Sequence, residues 1–339
     1  MSEANIRSSR FRAEREADWK RLEQIVTRTE KNGVRSLNYD DARDLAVLYR
    51  QATNSLSVAR EISLDRSLLH YLEALCCRAY LAVYAPQDSL GGLLRRTFLV
   101  SIPGAMRRSA IPLFLAFLAM ALGAITGYML FFDDQTWYNT FMPGGLAGGR
   151  GITSSKEDLL AVIYSDDQDA LDRLGAFAAY LFSHNTRIAI FAFALGIFVC
   201  LPSFALSAYN GLILGVFVAL HVDRGIGPDI IAWLSIHGVT ELSAIIIATA
   251  GGFRLGLAVL FPGNLRRRDA LRREGRDAVL LALLAAIMLV VAGLLEGFAR
   301  QLVQDMNTRL IVGWGFGLFW LGYVLFSGRS ARSRRMRPA

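Results

Sequence analysis

Apolar residues recur at helical spacing through the first quarter of this chain, then gather into long blocks. Trp19, Leu22 and Val26 stand at i, i+3 and i+7 among Arg, Glu and Lys. A second set, Leu45, Leu48, Ala52 and Leu56, follows Asp40 and Asp41. A third opens at Asp65 and carries Leu68, Leu72, Leu75 and Ala79 before Pro86. Each pattern predicts an amphipathic helix, and three such helices can pack as a small bundle over residues 1–88. The opening segment is charged and helical, unlike a signal peptide. Residues 89–109 alternate apolar positions with Arg95, Arg96, Arg107 and Arg108. That pattern reads as an amphipathic segment lying on an anionic membrane surface.

The blocks begin at Ala110. A spanning helix needs about 20 apolar residues. Ala110 to Phe132 supplies one, and Ile188 to Leu206 a second, with Pro202 as its kink. Tyr209 to Val222 reads as a short third. Ile230 to Phe261 is too long for one straight span and reads as interrupted near His237-Gly238. Val279 to Ala299 and Leu310 to Ser327 complete the set. The expected fold is all-α: a polytopic membrane protein with about six transmembrane helices, a broken or short pair in the middle, and a small helical domain in front. Its parts are 1–88, the interfacial 89–109, the transmembrane 110–327 with an outer loop at 133–186, and a basic tail at 328–339.

Composition agrees, with 53% hydrophobic and 19% charged residues and a mean hydropathy of +0.35. A soluble domain averages about 25% charged residues. The net charge of +8 lies where insertion demands it. Six Arg occupy 262–278, and the tail carries Arg329, Arg332, Arg334, Arg335 and Arg337. The loop 133–186 holds eight Asp or Glu against three Lys or Arg. The positive-inside rule therefore predicts both termini in the cytoplasm and the acidic loop outside. Three crossings between that loop and 262–278 give six spans, and one crossing with a re-entrant hairpin gives four. With no basic stripe of interleaved aromatics, the charge does not point to nucleic acid.

Polar groups inside the blocks carry the candidate chemistry. An ionisable side chain at mid-depth costs at least about 2.5–3.5 kcal/mol. His237 and Glu241 lie four residues apart, on one helix face. The carboxyl group there either holds a proton or pairs with the imidazole. One reading is a proton or cation site, and the other a helix-to-helix hydrogen bond that satisfies backbone N–H groups freed at Gly238. His184-Asn185 and Asn210 belong to the same candidate set, with helix capping as the plainer role for the two Asn. His221 reads as an interfacial residue and Glu296 as a solvated or capping carboxylate. Gly211-x3-Gly215 suits close helix approach. In the loop, Ser165-Asp166-Asp167-Gln168 has the form of a capping box. It would lead a helix along the membrane carrying Leu171, Leu174, Phe177, Ala178 and Leu181. MPGGLAGGRG before it reads as a flexible turn.

No nucleophile–base set, phosphate loop or HExxH motif is present. Cys76, Cys77 and Cys200 make neither a disulfide framework nor a metal knuckle. The expectation is a non-enzyme without metal or cofactor.

The string His237-Gly238-x-x-Glu241-x-x-Ala244 resembles the signature of the stage II sporulation protein M family. So do Asn210-Gly211-x3-Gly215 and His184-Asn185. In the head, Trp19-x-x-Leu22, Leu48-Tyr49-Arg50, Leu56, Ala59-Arg60, Tyr80 and Tyr84 fit as well. The resemblance runs from about residue 10 to 327. It implies a multi-pass protein of the bacterial inner membrane. The sporulation member works with peptidoglycan-hydrolysing partners during engulfment. Many members from non-sporulating bacteria are encoded near MoxR-type ATPases, and the long head looks like that group. The resemblance supplies no catalytic residue. Two functions stay open. One is a non-enzymatic scaffold in the bilayer that recruits membrane or periplasmic proteins, linked to cell-envelope or peptidoglycan remodelling. The other is a channel or secondary transporter coupled through His237 and Glu241. Small-residue faces are compatible with a homo-oligomer.

Overall fold

The computed structural model describes residues 3–61, 66–84, 90–164, 168–299 and 302–328. Every regular element among them is helical. The chain divides into two units, residues 1–93 and 94–339.

The first unit holds α1 (Glu3–Asn32), α2 (Tyr39–Glu61) and α3 (Arg66–Tyr84). The expected apolar faces form its core: Trp19, Leu22, Leu45, Ala52, Leu68, Leu72, Leu75 and Ala79 are buried together. The N-terminus of α2 is fixed twice. Asn38 accepts the Asp41 N–H at 2.7 Å, and the buried Asp41 carboxylate takes Arg21 and Arg28 of α1 at 2.6 Å each. Tyr71 donates to Glu23 at 3.1 Å, and burial with the nearby Glu23 carboxylate pushes its phenol up to about 12. Asp65 and Pro86, the expected ends of the third helix, lie outside the described residues.

Residues 89–109 are not one surface-lying segment. They form α4 (Leu90–Arg96), a π turn (Thr97–Ser101) and α5 (Ile102–Arg108). Leu94, Phe98 and Leu99 are exposed, but Ile102, Ala105 and Met106 are buried in the main transmembrane core. Apolar residues on one face of α5 find helices to pack on, which alternation alone does not reveal.

The second unit continues with α6 (Ala110–Asp133), short helices α7 (Trp137–Phe141), α8 (Gly144–Ala147) and α9 (Lys156–Ile163), then α10 (Gln168–Ala194), α11 (Leu201–Asp223), α12 (Gly227–Leu260), α13 (Arg267–Leu294, running on as a π turn to Ala299) and α14 (Met306–Phe326). Among the described residues, α6, α11, α12, α13 with its π turn, and α14 are long and apolar enough to cross a membrane. The protein is a polytopic helical membrane protein.

The structure moves three boundaries. The block Ile188 to Leu206 is not one kinked span, because α10 ends at Ala194 and a short 3-10 turn precedes the left-handed Val199 (φ 52°) and Cys200 (φ 69°). Pro202 stands in the first turn of α11, where its missing N–H costs no hydrogen bond. Tyr209 to Val222 is the second half of α11 and not a short span of its own. The expected interruption at His237-Gly238 is absent: α12 runs unbroken for 34 residues, about 50 Å. The separate loop helix around 171–181 is the front of α10 itself. Its expected capping box at 165–167 lies outside the described residues, as do the arginines of 329–339.

Contacts order the bundle by its two ends. At one end the loop after α6 meets the end of α11, where Arg224 donates to the Ser154 and Ile152 carbonyls at 3.1 and 2.6 Å. Tyr164 donates to Asp229 at the start of α12 at 2.7 Å. The fully buried Arg309 of α14 donates to the Ile163 and Val303 carbonyls at 3.0 and 2.8 Å. A capping box does form here, Ser155 with Asp158, at the head of α9. At the other, basic end, Arg254 of α12 reaches Glu274 and Asp277 of α13, and Arg108 of α5 takes Asp277 at 2.6 Å. Arg107 donates to the carbonyl of Ser327, just past α14, at 3.1 Å.

Helices α6 and α11 therefore run parallel. They approach through two glycine pairs, Gly123 and Gly127 on one and Gly211 and Gly215 on the other. A Cβ on Gly211 would fall 2.0 Å from the Met120 carbonyl oxygen, and one on Gly123 would fall 1.8 Å from that of Ala208. Only glycine permits this contact.

Candidate functional site

A cavity of about 580 Å³ opens among α6, α10, α11 and α12. All five residues singled out in the sequence line it: His184 and Asn185 from α10, Asn210 from α11, and His237 and Glu241 from α12. Apolar side chains such as Phe117, Met120, Ile213, Leu242 and Ile246 make up most of the remaining wall, with Trp314 of α14. A mainly apolar cavity with a few convergent polar groups has the form of a ligand site.

The geometry follows from α12. Trp233, His237 and Glu241 stand one turn apart on the same face. The Trp233 ring meets His237 edge-on at 5.8 Å between centroids. His237 and Glu241 are buried, at 2% and 8% exposure. The Asn185 side-chain N–H donates to Glu241 Oε1, tying α10 to α12. This is the helix-to-helix bond expected of a structural role. Its other half does not hold, because α12 is helical through Gly238 and frees no backbone N–H there. Gly238 serves no close packing, since an added Cβ would meet only Leu234 of its own helix, at 3.9 Å. It lines the cavity beside His237 and keeps space open. His184 stacks with Tyr180 at 6.2 Å, and its Nε2 is buried without a hydrogen bond.

Asn210 is not a cap. It lies within α11, more than two turns beyond the start of the helix, and faces the cavity. His221 is not interfacial: it is fully buried, with Nδ1 2.8 Å from the Phe217 carbonyl oxygen and its ring 4.6 Å from that of Phe217. Glu296 is not solvated either, at 1% exposure in the π turn that ends α13. In both cases neighbouring helices cover a residue that its place near a span end suggested was wet. Among the described residues, no three His, Cys, Asp or Glu come together as metal ligands.

One wall residue escaped the sequence reading. Arg150 is only 4% exposed, and its guanidinium carbon stands 4.9 Å over the Phe217 ring and 5.1 Å over that of Trp233. The stretch MPGGLAGGRG, expected to be a flexible turn, is what drives it in. Gly148 and Gly149 take positive φ, 55° and 82°, directly after α8 and aim Arg150 into the bundle. Arg150 Nε donates to the Ala147 carbonyl at 3.0 Å, and Tyr138 donates to that of Arg150 at 3.1 Å. Burial pushes the Tyr138 phenol up to about 12, so it remains a donor. An arginine bracketed by glycines was the available signal.

No curated protein and no solved structure matches the chain. Residues 9–85 match a family described as a domain of unknown function (DUF8413), which falls on the three-helix head. Residues 113–299 match the family model of stage II sporulation protein M. That match takes in every residue of the cavity except Trp314 and covers more than half of the chain, so the chain belongs to the stage II sporulation protein M family.

Proposed function

We propose that this protein is a non-enzymatic channel or secondary transporter, with the cavity as its substrate site and His237 and Glu241 as a proton- or cation-coupling pair. The observation that carries the reading is the convergence of five polar residues from three helices on one cavity inside an apolar bundle. Titratable groups in such a place are costly unless function retains them. The proposed setting is the bacterial inner membrane with both termini cytoplasmic, α10 returning the chain between the parallel α6 and α11 as a sixth crossing beside the five more apolar spans. Support comes from the arginines of 107–108 and 266–276 flanking one end of the bundle while the acid-rich loop caps the other. In proteoliposomes carrying a pH gradient, the wild-type chain is expected to relax the gradient. Glu241→Gln keeps the volume and the Asn185 contact, and should lower that rate at least about tenfold while leaving the yield of folded protein unchanged. Equal rates in both proteins, or an inert wild type, sink the coupling role.

A second reading, a scaffold acting in cell-envelope remodelling, is favoured by the head. That unit has its own core and leaves Tyr39, Tyr80 and Tyr84 exposed. Affinity purification from native membranes in mild detergent, with mass spectrometry, should then recover a stoichiometric partner that is lost when the head is removed. Recovery of a bare homo-oligomer instead leaves the transport reading alone.

A further inference from the structure

The cavity has a neighbour on the lipid-facing side of α6 and α11. A second cavity of about 310 Å³ runs between α6 and α11, lined by Ala124, Ile125, Tyr128, Met129, Leu214, Gly215 and Val218. Ala124, Leu214 and Val218 line both cavities, so the two share a wall. Ile125 and Met129 stand 54% and 66% exposed on an apolar spanning helix, where hydrocarbon chains surround the bundle. An apolar groove open to lipid thus borders a chamber whose loop end presents the Arg150 guanidinium.

Resting on the transport reading, we propose that the site takes a membrane-borne anionic amphiphile, its hydrocarbon chain in the α6–α11 groove and its carboxylate or phosphate head at Arg150. The Arg150 guanidinium carbon stands over the Phe217 and Trp233 rings, and its N–H donors lie in the guanidinium's own plane, where they can hold an anionic oxygen. Arginine is suited to such a buried oxyanion because it is always charged and presents a rigid fork. A cationic head would meet a like charge there. Glu241 stands eight residues from Trp233 along α12, roughly 12 Å. That spacing leaves the Glu241 carboxylate outside the head-group end, whereas His237, one turn from Trp233 and in contact with its ring, borders it.

The test uses the full chain in nanodiscs and the fluorescence of Trp233. The probe is a long-chain alkyl phosphate brominated next to its head. Its comparators are the trimethylammonium analogue of the same chain and inorganic phosphate as a competitor. The cavity signal is the quenching that Trp233→Phe removes. The alkyl phosphate should bind at least about tenfold tighter than the ammonium analogue, and Arg150→Gln should erase that preference. Inorganic phosphate should fail to displace it. Because Arg150→Gln also disturbs the loop, Val218→Phe provides an independent variant, narrowing the shared wall with Arg150 intact. It should weaken the long-chain probe about tenfold or more. Equal or tighter ammonium binding overturns the anionic class while leaving the transport reading in place. Displacement by inorganic phosphate, or no effect of Val218→Phe, overturns the bilayer route. Proton flux that depends on Glu241, together with no cavity signal from any probe, overturns this proposal and spares the reading beneath it.

Discussion

Gly211→Leu should leave little folded protein, and Gly211→Ala should fare almost as badly. The clash begins at the Cβ, which would lie 2.0 Å from the Met120 carbonyl oxygen and 3.0 Å from the Ala124 backbone nitrogen. Those partners are helix backbone, so no rotamer change relieves the contact and α6 as a whole must retreat. Overpacking a core typically costs about 1–3 kcal/mol even where side chains can adjust. Here a displacement of α6 also withdraws Gly127 from Leu212 and opens the cavity wall at Met120, Ala121 and Ala124. Size-exclusion chromatography after graded heating should show the loss as aggregation at a lower temperature, or as no monodisperse peak at all. Gly315→Leu is the control, because a Cβ at Gly315 of α14 meets nothing within 4 Å. Gly211→Leu as heat-resistant as that control disproves the close approach of the two helices.

That contact also marks the limit of what the chain order discloses. The three head helices and the turn-by-turn ladder of His237 and Glu241 are local periodicities, and the sequence carries them in full. His184, Asn185 and Asn210 stand out because polar groups in apolar blocks are conspicuous. Their meeting in one cavity depends on α6 and α11 packing parallel, a long-range fact that no window contains. The break at Leu195–Cys200 is invisible to hydropathy, since every residue around it is apolar and only the left-handed backbone at Val199 and Cys200 makes the turn. Conversely, His237-Gly238 resembles a break but is none, because the surrounding helices hold α12 straight through it. Arg150 was hidden by its neighbours. A glycine-rich stretch suggests freedom, yet Gly148 and Gly149 are what fix the direction of that side chain. Burial of His221 and Glu296 likewise depends on which helices lie alongside.

Removing Arg254 should cause the largest loss of stability of any single side-chain truncation at the basic end. Its guanidinium is 10% exposed and joins three elements at once. It donates to the Arg108 carbonyl and Ser109 Oγ, each at 3.0 Å, to Asp277 at 3.0 Å, and to Glu274. Leucine in its place would leave Glu274 and Asp277 partly buried with one fewer cation, Arg108 alone continuing to hold Asp277. Breaking a buried pair from one side costs about 3–5 kcal/mol, because the surviving charge has lost the partner that offset its desolvation. Unfolding by titrated denaturing detergent in mixed micelles should register a loss of that size for Arg254→Leu. Arg254→Lys should recover only part of it, since one ammonium cannot reach four acceptors spread across α5 and α13 as the planar fork does. High salt should change the wild-type value little, as burial shields the network from screening. If Arg254→Leu unfolds with the wild type, the α5–α12–α13 junction is held by apolar packing of Ile102, Met106 and Leu281, and the charge network contributes no net stability.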